Sequence, residues 1–134
     1  MIYAFDTNII SYLLKKDEQV QKQMKTAIDN EYEFVMLPIV YYEVSRWLLE
    51  RKAVRLQAEF HQMCAEMPLA EANKAVWDKA AELYVYTRQI GKSVGSDVDL
   101  FIAAFCIVNG YTLITNNTRH FEDITGMKFI NWKQ

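Results

Sequence analysis

The strongest constraint on this chain is a rhythm of short apolar runs that stop at polar residues, alternating with longer segments of helical apolar spacing. Ile2-Tyr3-Ala4-Phe5 is apolar without interruption and halts at Asp6, as a strand buried on both faces does. Phe34-Val35-Met36-Leu37, Tyr111-Thr112-Leu113-Ile114-Thr115 and Lys128-Phe129-Ile130 read as further strands. Asp6-Thr7-Asn8 offers cap residues ahead of Ile9, Ile10, Leu13 and Leu14, and a second helix is expected over about 18–29. Pro38 ends the second strand or opens a helix carrying Val40, Val44, Trp47 and Leu48, with helical character running on from Arg51 to about Cys64. Met67-Pro68-Leu69 reads as a short extended piece. Val76, Ala80, Leu83, Thr87 and Ile90 step by fours and threes to Gly91, and 96–108 is a helix apolar nearly all round, hence buried.

Strands alternating with helices imply a mostly parallel sheet covered on both faces. Ligands of such sheets bind outside the carboxyl ends of the strands, which is where Asp6 and Thr115-Asn116-Asn117 fall. Four Gly and two Pro leave no linker, so the 134 residues are expected to form one domain, 1–134. A net charge of −2 excludes binding of nucleic acid by bulk attraction; any such partner must be gripped by local patches or through a metal. Cys64 and Cys106 lack the spacing of a zinc site and read as buried free thiols. No basic-then-apolar leader and no membrane-length apolar run is present, which places the expected home in the cytoplasm.

Three carboxylates stand out. Taken alone, Asp6 is better explained as a helix cap or Asx-turn than as a catalytic group, since caps are so common. Glu43 lies three residues after Val40 and four before Trp47, inside the apolar stripe. An unpaired carboxylate there would cost several kcal/mol, so it must be neutral, bridged to an arginine such as Arg46, or bound to a cation. Asp99 follows Ser96 at capping spacing in the first turn of the buried helix; Asp97 shares that turn, but Asp99 aligns with Ala103 and Cys106 on the packed side. A parallel α/β sheet would bring all three to one crevice. Oxygen ligands of this kind suit Mg²⁺, which binds through a few carboxylates, waters and substrate phosphate.

These residues give the chain a resemblance to the PIN-domain nucleases, most closely the VapC-type toxins of bacterial toxin–antitoxin pairs. Met1 to Ser11, with Asp6-Thr7-Asn8, looks like the family opening; Val40-Tyr41-Tyr42-Glu43-Val44 resembles the segment of the second acid. Gly95 to Ala104 is similar to the third-acid helix, Leu113 to Phe121 to the terminal strand-and-loop motif, and Ile130-Asn131-Trp132 to the usual tail. The resemblance spans essentially the whole chain. It implies a three-layer α/β/α sandwich, Mg²⁺- or Mn²⁺-dependent endoribonuclease activity, an inhibitory antitoxin partner and a homodimer. Asp6, Glu43 and Asp99 match the acidic metal ligands, and Asn8 the polar residue beside the first. Thr115, Asn116 and Asn117 match a region where many relatives carry a further acid, so an amide site would hold one metal more securely than two. Asp97 matches a position that is often acidic.

The expected chemistry is metal-assisted phosphodiester hydrolysis, with Asn8, Thr115, Asn116 and Asn117 orienting water or phosphate. Arg46 and Arg119, beside the site segments, are the better phosphate contacts among the basic residues, and His120 is expected to pack beside Phe121. Alternatives from other classes are a housekeeping nuclease without an antitoxin, a phosphohydrolase with Asp6 as nucleophile, and a non-catalytic RNA- or protein-binding module.

Overall fold

A computed structural model describes residues 1–92 and 96–134; Gly95 of the third-acid segment lies outside them. The described elements are β1 (Ile2–Phe5), α1 (Thr7–Leu14), α2 (Glu18–Asp29), β2 (Glu33–Val35), α3 (Pro38–Glu50), α4 (Val54–Glu66), α5 (Lys74–Gln89), α6 (Asp97–Asn109), β3 (Thr112–Ile114) and β4 (Lys128–Ile130), with a 3₁₀ turn at Thr118–His120. The four strands form one sheet in the order β2-β1-β3-β4, and every pairing is parallel. Helices cover it in the α/β/α arrangement.

The two central strands are the most apolar: Ala4, Phe5, Leu113 and Ile114 are almost wholly buried, as strands covered on both faces must be. The core they anchor runs from Tyr3 to Trp132. Trp132 closes it by packing edge-on against Tyr3 and Phe5, with ring centroids 5.9 and 5.5 Å away. The tail is further held by Lys133, whose ammonium lies 2.6 Å from Asp17.

Two boundaries differ from the sequence reading. The second strand begins at Glu33 and leaves the sheet after Val35; Met36 pairs instead with Leu69, its N–H donating to the Pro68 carbonyl and its own carbonyl accepting the Ala70 N–H. The 67–69 piece is thus extended because it completes the backbone bonding of a strand that has run past its neighbour. Helix is also interrupted after Glu50, where Lys52 takes a left-handed φ of 53° and the chain turns before α4. No apolar period marks that break.

Pro38 opens α3 at its first turn, where a missing N–H costs nothing. α6 ends on Gly110 at φ 72°, a left-handed cap. Cys64 and Cys106 are both free, and burial pushes the Cys106 thiol up, out of reach of ionisation.

Candidate active site

Two parallel strands end side by side, and the site begins there. The Asp6 N–H donates to the Ile114 carbonyl at 2.9 Å, which sets the carboxyl end of β1 against that of β3. Asp6 then caps α1, its Oδ1 accepting the Thr7 N–H at 2.7 Å. Its Oδ2 accepts the hydroxyl of Thr115 at 2.7 Å, and Thr115 is itself fully buried. The cap reading and the site reading of Asp6 are therefore one geometry. Burial pushes the Asp6 carboxyl above the ordinary range; the bonds from Thr115 and Thr7 oppose this, and the charges of Asp99 and Glu43 add to it.

Glu43 arrives on the second turn of α3. It is half-buried rather than sealed in the core, and its Oε1 accepts the Thr7 hydroxyl at 2.6 Å. The sequence reading allowed a neutral acid, an arginine bridge or a cation. The fold supplies a further answer, a hydroxyl from the residue next to Asp6, while Glu43 lines the cleft. Among the described residues no arginine lies within ion-pair distance of Asp6, Glu43 or Asp99.

Asp99 is buried in the first turn of α6, with Ser96 as the cap donating neighbour: the Asp99 N–H reaches Ser96 Oγ at 3.3 Å, and the Ser96 hydroxyl reaches Asp99 Oδ2 at 3.4 Å. Asp6 caps α1 and Asp99 lies in the first turn of α6, so both carboxylates stand at helix amino termini, where the backbone dipoles favour negative charge.

Asp6, Asn8, Glu43, Asp99, Asn117 and His120 line one cleft, together with Thr7, Ser11, Trp47, Ser96 and Val98. Of the supporting polar residues, Asn8 accepts the Asn116 N–H at 3.4 Å, and the Asn116 amide lies 3.5 Å from the Tyr12 hydroxyl. The Asn117 N–H donates to Thr115 Oγ1 at 2.9 Å, which fixes the hydroxyl that binds Asp6. Asp97 is exposed and lines a neighbouring groove with Trp77, Tyr84 and Phe101. Arg46 and Arg119 are exposed and do not line the cleft; Arg46 lies over the ring of Tyr42.

Among the described residues no three histidine, cysteine or acidic side chains close on a point tightly enough to enclose an ion. The acids face a shared opening instead. Mg²⁺ keeps several waters and uses one or two carboxylates with substrate phosphate, so an open set of hard oxygens fits it better than a closed cage would.

Three contributors escaped the sequence reading. Thr7 positions Glu43, and its place beside Asp6 in Asp-Thr-Asn was the available signal. Trp47, read as part of an apolar stripe, lines the cleft one helical turn beyond Glu43, with Lys15 and Arg51 over its ring at 5.5 and 5.3 Å. His120 does sit beside Phe121, with ring centroids 6.3 Å apart, but its Nδ1 also lies 3.0 Å from Asp99 Oδ2. That approach comes from tertiary contact between the 3₁₀ turn and α6, which no local pattern reports.

The profile of the PIN-domain family matches residues 3–126. Ribonuclease VapC1 of Haemophilus influenzae, from strains R2866 and 86-028NP, is 24% identical over 133 residues, covering 98% of both chains. The fold is shared with a chain of VapBC2 from Rickettsia felis bound to a promoter DNA fragment, at TM-score 0.89 and 24% identity over 99% of this chain and all of that one. It is shared also with DNA-bound VapBC from Salmonella typhimurium, at TM-score 0.87 and 20% identity over 99% of each chain. FitAcB from Neisseria gonorrhoeae gives TM-score 0.77 at 20% identity over 98% of each chain.

Proposed function

Because the chain belongs to the PIN-domain family, we propose that residues 1–134 form one nuclease domain, an Mg²⁺- or Mn²⁺-dependent endoribonuclease that is the toxin of a toxin–antitoxin pair. The observation that carries this reading is the cleft where Asp6, Glu43 and Asp99 meet with no arginine within ion-pair distance among the described residues. Carboxylates crowded without a cation are poorly compensated, and a divalent ion relieves that crowding. The curated relatives, Ribonuclease VapC1, supply the substrate class.

A bound ion would supply charge stabilisation at a phosphoryl oxygen and a more acidic water. The chain's own residues prepare for it. Thr115 and the Thr7 N–H hold Asp6 as an acceptor, the Thr7 hydroxyl orients Glu43, and the α6 cap orients Asp99. Asn117 and Asn8 at the cleft offer amides to water or phosphate. Trp47 provides an aromatic face for an unpaired base, with Lys15 and Arg51 beside it for the flanking phosphate. Arg46 and Arg119 lie further out and would meet the RNA backbone beyond the scissile bond. Hydrolysis by water would leave a 5′-phosphate and a 3′-hydroxyl, as the family resemblance implies.

A groove with an apolar floor of Leu13, Leu14, Met24, Ile28, Met63 and Met67, rimmed by charged and polar residues such as Lys16, Lys25, Glu59 and Glu66, supports the antitoxin reading, since such Met-containing grooves accept amphipathic segments. Exposed Trp77, Tyr84 and Val85 on α5 support a homodimer. Among the described residues no helix is long and apolar enough to cross a membrane, and we place the protein in the cytoplasm.

The test is cleavage of a single-stranded RNA by purified protein with Mg²⁺, with Mn²⁺, and with chelator. Cleavage that requires the ion and is lost in Asp99→Asn and Glu43→Gln, both still folded, supports the reading. Cleavage indifferent to chelator or to those substitutions overturns it.

A further inference from the structure

We propose that His120 is a nitrogen ligand of the divalent ion, sharing its coordination shell with Asp99, so that the site prefers Mn²⁺ to Mg²⁺. This rests on the nuclease reading above and adds to its oxygen donors one of a different class.

The geometry is specific. His120 Nδ1 is buried and lies 3.0 Å from Asp99 Oδ2, yet among the described residues it has no hydrogen-bond partner. The separation is within hydrogen-bond distance, yet the pair does not meet hydrogen-bond geometry. Burying a polar atom this way is unfavourable and calls for an occupant. In an octahedral shell, two neighbouring donors at about 2.1 Å from the ion stand about 3 Å from each other. Each then aims its lone pair at the ion and not at its neighbour. Nδ1 and Oδ2 stand at that spacing.

The backbone holds the ring in place. The His120 N–H donates to the Asn117 carbonyl at 3.1 Å and the Phe121 N–H to the Thr118 carbonyl at 3.0 Å, while Phe121, fully buried, anchors the turn to the core. The His120 side chain stays 39% exposed, on the wall of the cleft that Asp6 and Glu43 also line. Two protein donors with waters and phosphate complete a shell for an ion of this class. Imidazole nitrogen binds transition ions better than Mg²⁺, which the all-oxygen alternative would not discriminate as strongly.

The experiment loads the full chain with Mn²⁺ and records its electron spin echo. Modulation from a directly bound ¹⁴N in the wild type, lost in His120→Gln while Mn²⁺ remains bound, is the expected result. Competition by Mg²⁺ should need at least roughly a tenfold excess in the wild type, and that preference should shrink in His120→Gln. Should His120→Gln not fold, the wild-type echo decides by itself. Mn²⁺ bound without nitrogen coupling overturns the ligand assignment and leaves the nuclease reading intact. Wild-type protein that binds Mn²⁺ no better than Asp6→Asn overturns both.

Discussion

Replacing Thr115 with valine removes one hydroxyl from a site with no exposed surface and keeps the side-chain volume. That hydroxyl makes a 2.7 Å bond to the Asp6 carboxylate, itself only 5% exposed. A bond to a charged, buried acceptor contributes about 1.5–3 kcal/mol, since water cannot replace the lost donor. The Asn117 N–H also loses its acceptor, but Asn117 is exposed and water can serve it. Thr115→Val should therefore destabilise metal-free protein by about 2–3 kcal/mol, a fall in Tm of roughly 6–9 °C for a chain of this size. The pH dependence identifies the cause. The Thr115 bond lowers the Asp6 pKa, so its contribution is present while Asp6 is ionised and is lost as pH falls through the folded value. Thermal melts in chelator at neutral and acid pH, with and without Asp6→Asn, measure it. In the Asp6→Asn background the cost should drop to about 1 kcal/mol, that of a neutral bond. An equal cost at both pH values, or one unchanged by Asp6→Asn, would refute the claim that the hydroxyl acts by holding a charged carboxylate.

Asp6→Asn alone should raise the Tm of metal-free protein at neutral pH. The folded Asp6 pKa lies above its ordinary value, so stability is fullest in acid and declines as pH rises through the raised value; the gap between variant and wild type should close on acidification. Thr7→Val removes the group that orients Glu43 at 2.6 Å and should lower metal affinity and RNA cleavage by roughly 10–100-fold. Isothermal titration with Mn²⁺ beside the cleavage assay reads both, and an unchanged affinity would separate Glu43 from the ion. Gly110→Ala meets no atom within 4 Å and should cost only the left-handed backbone strain at φ 72°, about 1 kcal/mol by chemical denaturation, with cleavage unchanged.

The sequence by itself determined the alternation of strand and helix, because strands buried on both faces and amphipathic helices write different apolar periods. It also determined that Asp6 and Thr115 sit at strand ends and that Asp99 opens a buried helix. Where two elements meet through the backbone, as at Met36 and Leu69, or turn without an apolar signal, as at Lys52, local pattern had nothing to report. Only the tertiary structure decided how the acids are satisfied: Asp6 by a hydroxyl 109 residues away, Glu43 by Thr7, and Asp99 beside His120. The physical reason is range. Burial period is a property of neighbours along the chain, whereas the partner of a buried charge is set by which distant side chain the packed core brings within a few ångströms.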